Sequence, residues 1–236
     1  VNVALYVIAV VLYAQLRVGR RAVDAGTSAP GTAVARLREG VAYILRQPII
    51  LGAISLDLFA VLLGGSTVLL PAFARDVLNV GPDGLGALRM SQAIGAVAMG
   101  LVLTRRPIGR RAGHAMFLSI AGFGAATIVF ALSTSFLLSL AALFVLGATN
   151  MVGWNFRHTV IQMATPDAMR GRVSATSSLC TGAADRLGDF EAGVTAAWVG
   201  TVNATALGGV GTLAVAAIWT WLFPELRRVD RMTDVK

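Results

Sequence analysis

Residues Gly100–Ser135 read GLVLTRRPIGRRAGHAMFLSIAGFGAATIVFALSTS. An apolar run ends in a gap holding Arg105, Arg106, Arg110 and Arg111. A second apolar run follows from His114 to Leu132, and the next gap, Ser133–Ser135, carries no charge. A run of about 20 apolar residues is long enough to cross the hydrocarbon core as a helix. Lys and Arg concentrate in the loops that stay on the cytoplasmic side. A basic gap followed by a neutral one therefore reads as two opposite membrane faces.

The pattern extends in both directions. Six spans are expected: Ile49–Phe73, Gly84–Leu103, His114–Leu132, Phe136 to about Met163, Val173–Trp198 and Asn203–Phe223. Of the 20 Lys and Arg residues, 16 lie in every second gap: residues 17–47, 105–111, 165–172 and the tail after Phe223. The gaps between hold Arg75. Arg89, Arg157 and Arg186 lie within or beside apolar stretches. The alternation places Lys236 inside, in an inner-membrane, multi-pass chain. Trp198, Trp219 and Trp221 sit near span ends, as interfacial anchors do. Glycines within spans, such as Gly95, Gly100, Gly208 and Gly209, read as close helix packing.

Val1–Leu16 is apolar but shorter than a span, with neither a basic leader nor a small-residue cleavage site, so it reads as the end of a membrane helix whose start is missing. In the connection 17–47, Ala33–Arg46 regains helical periodicity. Val34, Leu37, Val41 and Ile44 form one face, with Arg36, Glu39 and Arg46 mostly opposite. This amphipathic helix lies either on the membrane surface or on protein. Thr165-Pro166-Asp167 reads as a helix start with Thr165 as N-cap.

Composition excludes other classes. The chain is 56% hydrophobic and 14% charged, against about a quarter charged in soluble domains. The net charge of +8 resides in loops without aromatic interleaving, which argues against nucleic acid. Cys180 is the single cysteine, His114 and His158 are far apart, and no metal-ligand cluster, nucleophile–base pair or phosphate loop is apparent. No cofactor and no enzymatic activity are expected.

Several motifs together resemble the C-terminal half of a major facilitator superfamily transporter, in the enterobactin-exporter-like branch. They are Leu56-Asp57-Leu58, Leu70-Pro71-Ala72-Phe73-Ala74, Gly81-Pro82-Asp83-Gly84-Leu85-Gly86, Ala164 to Val173, Leu187 to Gly193 and Phe223-Pro224-Glu225-Leu226-Arg227-Arg228. The resemblance implies an all-α membrane fold: 1–16 as the end of helix 6, 17–47 as a cytoplasmic central loop, 48–223 as helices 7 to 12, and 224–236 as a cytoplasmic tail. It implies a secondary active exporter of siderophore-like or drug-like molecules working by alternating access, with protons as a candidate coupling ion. The partners would be the bilayer, a small-molecule substrate and a missing N-terminal six-helix half, without which the chain should not transport. Thr104 stands where the family's loop often has Asp, and Arg186 where a carboxylate or amide is expected. A membrane sensor or assembly subunit on the same fold is the alternative.

A charge at the centre of a span costs about 2.5–3.5 kcal/mol on insertion scales. Asp57 at mid-span, Arg89 one turn into its span, Arg157 beside His158, and Asp185, Arg186, Asp189 and Glu191 in the fifth span are therefore the transport-pathway candidates. Each has a structural alternative: an interhelical hydrogen bond for Asp57, which could also pair weakly with Arg89; snorkelling for Arg89; a helix-end position for Arg157; and a gate of ion pairs for the fifth-span group, where Arg186 reaches Asp189 at i+3. The cytoplasmic gate candidates are Arg105, Arg106, Gly109, Arg110, Arg111, Asp167, Arg170 and Arg172.

Overall fold

The structure, a computed structural model, describes residues 33–64, 66–105 and 112–224. The readings for Val1–Leu16, for residues 17–32, for Arg106, Gly109, Arg110 and Arg111, and for the tail from Glu225 lie outside the described residues. The compact unit that carries the site begins at Leu37.

Seven α-helices follow in order: α1 (Ala33–Arg46), α2 (Pro48–Gly64), α3 (Gly81–Arg105), α4 (Ala112–Leu132), α5 (Phe136–Ala164), α6 (Asp167–Val199) and α7 (Thr201–Leu222). No strand occurs among the described residues. Five segments are long and apolar enough to cross a membrane: Pro48–Val77, Gly81–Arg105, Gly113–Leu132, Phe136–Ala164 and Thr201–Leu222. The 33-residue α6 has the length but not the composition. Its acids and Arg186 lower its hydropathy, yet it packs along α2 and α7 as a member of the bundle. The chain is an all-α, multi-pass membrane protein.

The first expected span is not one regular helix. After α2, Ser66–Leu69 tightens to a 3-10 turn, Leu70–Ala72 makes a single α turn, and Phe73–Val77 widens to a π turn. Pro71 supplies no amide to the turn before it and its ring crowds that turn, so the regular ladder breaks there. The break closes with Leu78 N–H to Phe73 O at 2.8 Å and Val80 N–H to Ala74 O at 2.9 Å. The α6 start also differs from expectation. Thr165 is extended and buried, Pro166 is the N-cap, and its carbonyl accepts from the amides of Met169 and Arg170. Thr165 has the extended backbone an N-cap would have, but Pro166 is itself non-helical (φ −57°, ψ 147°), so the start moves one residue on.

Helices α3 and α5 make the most extensive contact, followed by α4 with α7 and α4 with α5. The α3–α5 crossing is backbone on backbone. A Cβ on Gly95 would collide with the Phe144 carbonyl, and one on Gly147 with the Gln92 carbonyl. Without a hydrophobic drive between helices in lipid, such close approach supplies the dispersion contact that holds them. Ser91 Oγ adds a hydrogen bond to Leu140 O at 2.7 Å.

Beside a small cluster of Ile44, Ile50, Ile54, Ile161 and Val173 under α1, the core has two larger apolar levels. One gathers Leu56, Met116, Phe117, Phe156, Val160 and Val215, near the beginnings of α2 and α4 and the ends of α5 and α7. The other gathers Leu70, Phe73, Leu88, Phe130, Leu143 and Leu146 at the opposite end. Between them lie Thr67, Gln92, Thr149 and Asn150, and the candidate site is at that height.

Helix α1 rests on protein through its half beyond Leu37. Ile44 is buried, Gly40 abuts Thr176, Tyr43 donates to the Ala164 carbonyl at 3.1 Å, and Glu39 pairs with Arg172 at 2.5 Å. Val41, expected on the same face as Ile44, is exposed with Leu45. Trp219 is a packing residue rather than an anchor: its Nε1 donates to Ser55 Oγ at 3.0 Å and its ring meets Phe59 at 5.1 Å. Trp198 and Trp221 remain more than four-fifths exposed.

Candidate functional site

Asp57 lies in α2, one residue beyond Leu56 on the core stripe, so it is carried towards α5. Arg157 of α5 meets it. The guanidinium Nη1 contacts Asp57 Oδ2, and the two side chains are 7% and 17% exposed. Arg157 Nε is buried and has no acceptor among the described residues. Asp185 of α6 lies within electrostatic reach of the same guanidinium. Neither charge could sit alone at this depth, because the loss of hydration exceeds what neutral neighbours return. The pairing replaces two expectations. Asp57 binds Arg157 rather than Arg89, which is exposed on α3, and Arg157 is a buried interior residue rather than a helix-end marker. His158, next along α5, faces elsewhere and stacks on Trp154 with ring centroids 4.1 Å apart.

Beside the pair, a small cleft of about 30 Å³ is lined by Asp57, Val61, Ser119, Phe123 and Asn150 among others. A larger polar cavity of about 120 Å³ shares Val61, Phe123 and Asn150 with it and continues to Gly64, Thr67, Gln92, Asp185 and Asp189. Five α-helices and the broken segment after α2 thus contribute one or two residues each. The i,i+4 spacing of Asp185 and Asp189 turns both carboxylates to this space. Arg186 and Glu191 are turned away and exposed; Glu191 accepts from Thr195 Oγ1 at 2.8 Å, and no Arg186–Asp189 ion pair forms among the described residues. The arrangement offers two acids, two amides, a hydroxyl and an aromatic ring, with a buried cation one layer away.

At the end where α1 sits, Asp167 and Arg170 pair at 2.5 Å within the first turn of α6, and Arg170 Nε donates to Gln162 O at 2.9 Å. Arg172 crosses to Glu39 of α1. Arg105 closes α3 and is exposed. Thr104 spends its hydroxyl on the Leu101 carbonyl. Sequence reasoning passed over Gln92 and Asn150 as uncharged residues inside spans. Their amide groups in otherwise apolar helices were the available signal.

The chain is 26% identical over 192 residues to the enterobactin exporter EntS of Escherichia coli O157:H7 (strain EC4115 / EHEC), and equally to that of Escherichia fergusonii. The alignment covers 81% of this chain and 46% of each relative, so the chain spans about half the length of the curated relatives it matches. This agrees with the resemblance to the enterobactin-exporter branch read from the motifs. No family model matches the chain. No solved structure matches it.

Proposed function

We propose that the chain is the C-terminal six-helix half of a secondary active exporter of small amphipathic molecules, siderophore-like or drug-like. The observation that carries this reading is the polar cavity at mid-height, where Asp185, Asp189, Asn150, Gln92 and Phe123 converge from four helices. Polar groups at that depth are expensive unless water or a substrate reaches them. The relatives that share 26% identity are exporters by name, and the all-helical bundle suits the same task.

The cycle would be alternating access, with this half rocking against a second half around the cavity. The end bearing Arg105, Arg170, Arg172 and α1 would face the cytoplasm, following the excess of Lys and Arg there, and Asp167, Arg170 and Arg172 would belong to its gate. The Asp57–Arg157 pair would be the coupling element: a proton on Asp57 would release the guanidinium, and loss of that proton to water would restore the pair.

The test is efflux of a catecholate siderophore and of an amphipathic dye from cells carrying the full-length protein. Replacing both Asp185 and Asp189 by Asn should abolish most of the efflux while the protein still reaches the membrane in normal amount. Unchanged efflux would reject the cavity as the pathway and favour a sensor or assembly role.

A further inference from the structure

A second cavity has a different character from the polar one. It holds about 390 Å³ and is walled almost wholly by apolar atoms, including Val41 and Leu45 of α1, Leu58 and Leu62 of α2, and Ala183 and Leu187 of α6. Helices α2 and α6 both start at the end where α1 lies and converge at Gly188. A Cβ there would come within 3.0 Å of the Val61 and Leu62 carbonyls. Below that contact they diverge, and the gap between them is the groove, with α1 across its mouth.

The groove's length matches one leaflet. From Leu51 to Leu62, both of which line it, α2 advances about 16 Å at the standard rise. Half of a hydrocarbon core about 30 Å thick is of the same length. A charge stands at the mouth. Arg38, Val41 and Leu45 fall at i, i+3 and i+7 on α1, so Arg38 continues the stripe that lines the groove. It is exposed and has no acidic partner among the described residues, because Glu39 is held by Arg172.

We infer that this groove holds one acyl chain of an anionic phospholipid, with the lipid phosphate at Arg38. The lipid belongs to the leaflet that α1 reaches. On the orientation argued above, this is the cytoplasmic leaflet, whose surface is anionic. The chain fills the apolar gap between α2 and α6, and the headgroup ties α1 to the membrane surface.

The test uses the full-length protein purified in detergent, stripped of lipid, and re-supplied with phosphatidylglycerol or with phosphatidylcholine of the same acyl chains. Native mass spectrometry should find one phosphatidylglycerol held in preference to phosphatidylcholine. Arg38→Gln should weaken phosphatidylglycerol about fivefold, the factor expected for one basic residue near a headgroup, and phosphatidylcholine by less, because its choline cation opposes Arg38. Ala183→Trp should abolish retention, whereas Leu207→Trp, on an exposed face of α7, should not. Cys180, which also lines the groove, gives a readout on the unmodified protein: its reaction with a maleimide should slow when phosphatidylglycerol is added. Equal retention of the two lipids, retention by a folded Ala183→Trp variant, or a Cys180 rate indifferent to lipid would each overturn the proposal. Cys180 protected before any lipid is added would mean that a protein segment fills the groove, and would also overturn it. None of these readouts depends on efflux, so failure here leaves the transport reading to its own test.

Discussion

Arg157 of α5 and Asp57 of α2 hold each other inside the bundle, and each is the reason the other can be there. Removing one partner leaves an uncompensated buried charge, which costs about 3–5 kcal/mol where such pairs have been broken. Asp57→Asn and Arg157→Gln are each expected to lower the thermal midpoint of the purified protein sharply. The double variant should recover much of the loss. Losses that simply add in the double variant would mean that the two residues do not act as a pair.

The backbone crossing of α3 and α5 makes a second prediction. Gly147→Leu must force α5 away from the Gln92 carbonyl, and is expected to destabilise by more than about 3 kcal/mol, at the extreme of point substitutions. Gly86→Ala, in the same α3 but with open space at its Cβ, should be neutral or stabilise by up to about 1 kcal/mol. Membrane yield and thermal unfolding of the two variants check this. Equal behaviour would remove the crossing as a determinant.

The contact between Glu39 and Arg172 is partly exposed, and such pairs contribute about 0–1 kcal/mol. Glu39→Gln should therefore speed amide exchange in α1 by a few-fold without moving the global unfolding midpoint. Exchanging the charges, Glu39→Arg with Arg172→Glu, should restore protection. If exchange in α1 is untouched by Glu39→Gln, Tyr43 and Ile44 alone hold the helix.

Within α6, the side on which a charge stands should decide its effect. Asp185→Asn and Asp189→Asn are expected to reduce efflux, whereas Arg186→Gln and Glu191→Gln, exposed and outside the cavity, should change stability by no more than about 0.5 kcal/mol and efflux far less. A larger effect from Arg186 than from Asp189 would place the pathway on the other face of the helix.

The helices were legible from the sequence, because hydrocarbon depth acts on composition directly. His114–Leu132 and Phe136–Met163 were placed within a residue or two of α4 and α5. The interruption after Gly64 was not, since one proline in an apolar run does not reveal how the following turns rearrange. Partners were harder still. Asp57 was recognised as a buried charge, but its match with Arg157 depends on how α2 and α5 rotate against each other. That rotation is set by contacts far along the chain, such as those of Phe156 and Met116. Gln92 and Asn150 escaped notice because a single uncharged amide in a span forms no periodic pattern and was outweighed by the charged residues.

The Asp57–Arg157 pair sums to zero charge, and that bears on how the proposed cycle would respond to voltage. Moving one elementary charge across 100 mV changes energy by about 2.3 kcal/mol. A neutral pair that shifts as a unit does no such electrical work. In the proposed cycle, the charge state of Asp185 and Asp189 would set the net charge carried per turnover. On that reading, the membrane potential would act on the cycle through those two carboxylates rather than through the buried pair.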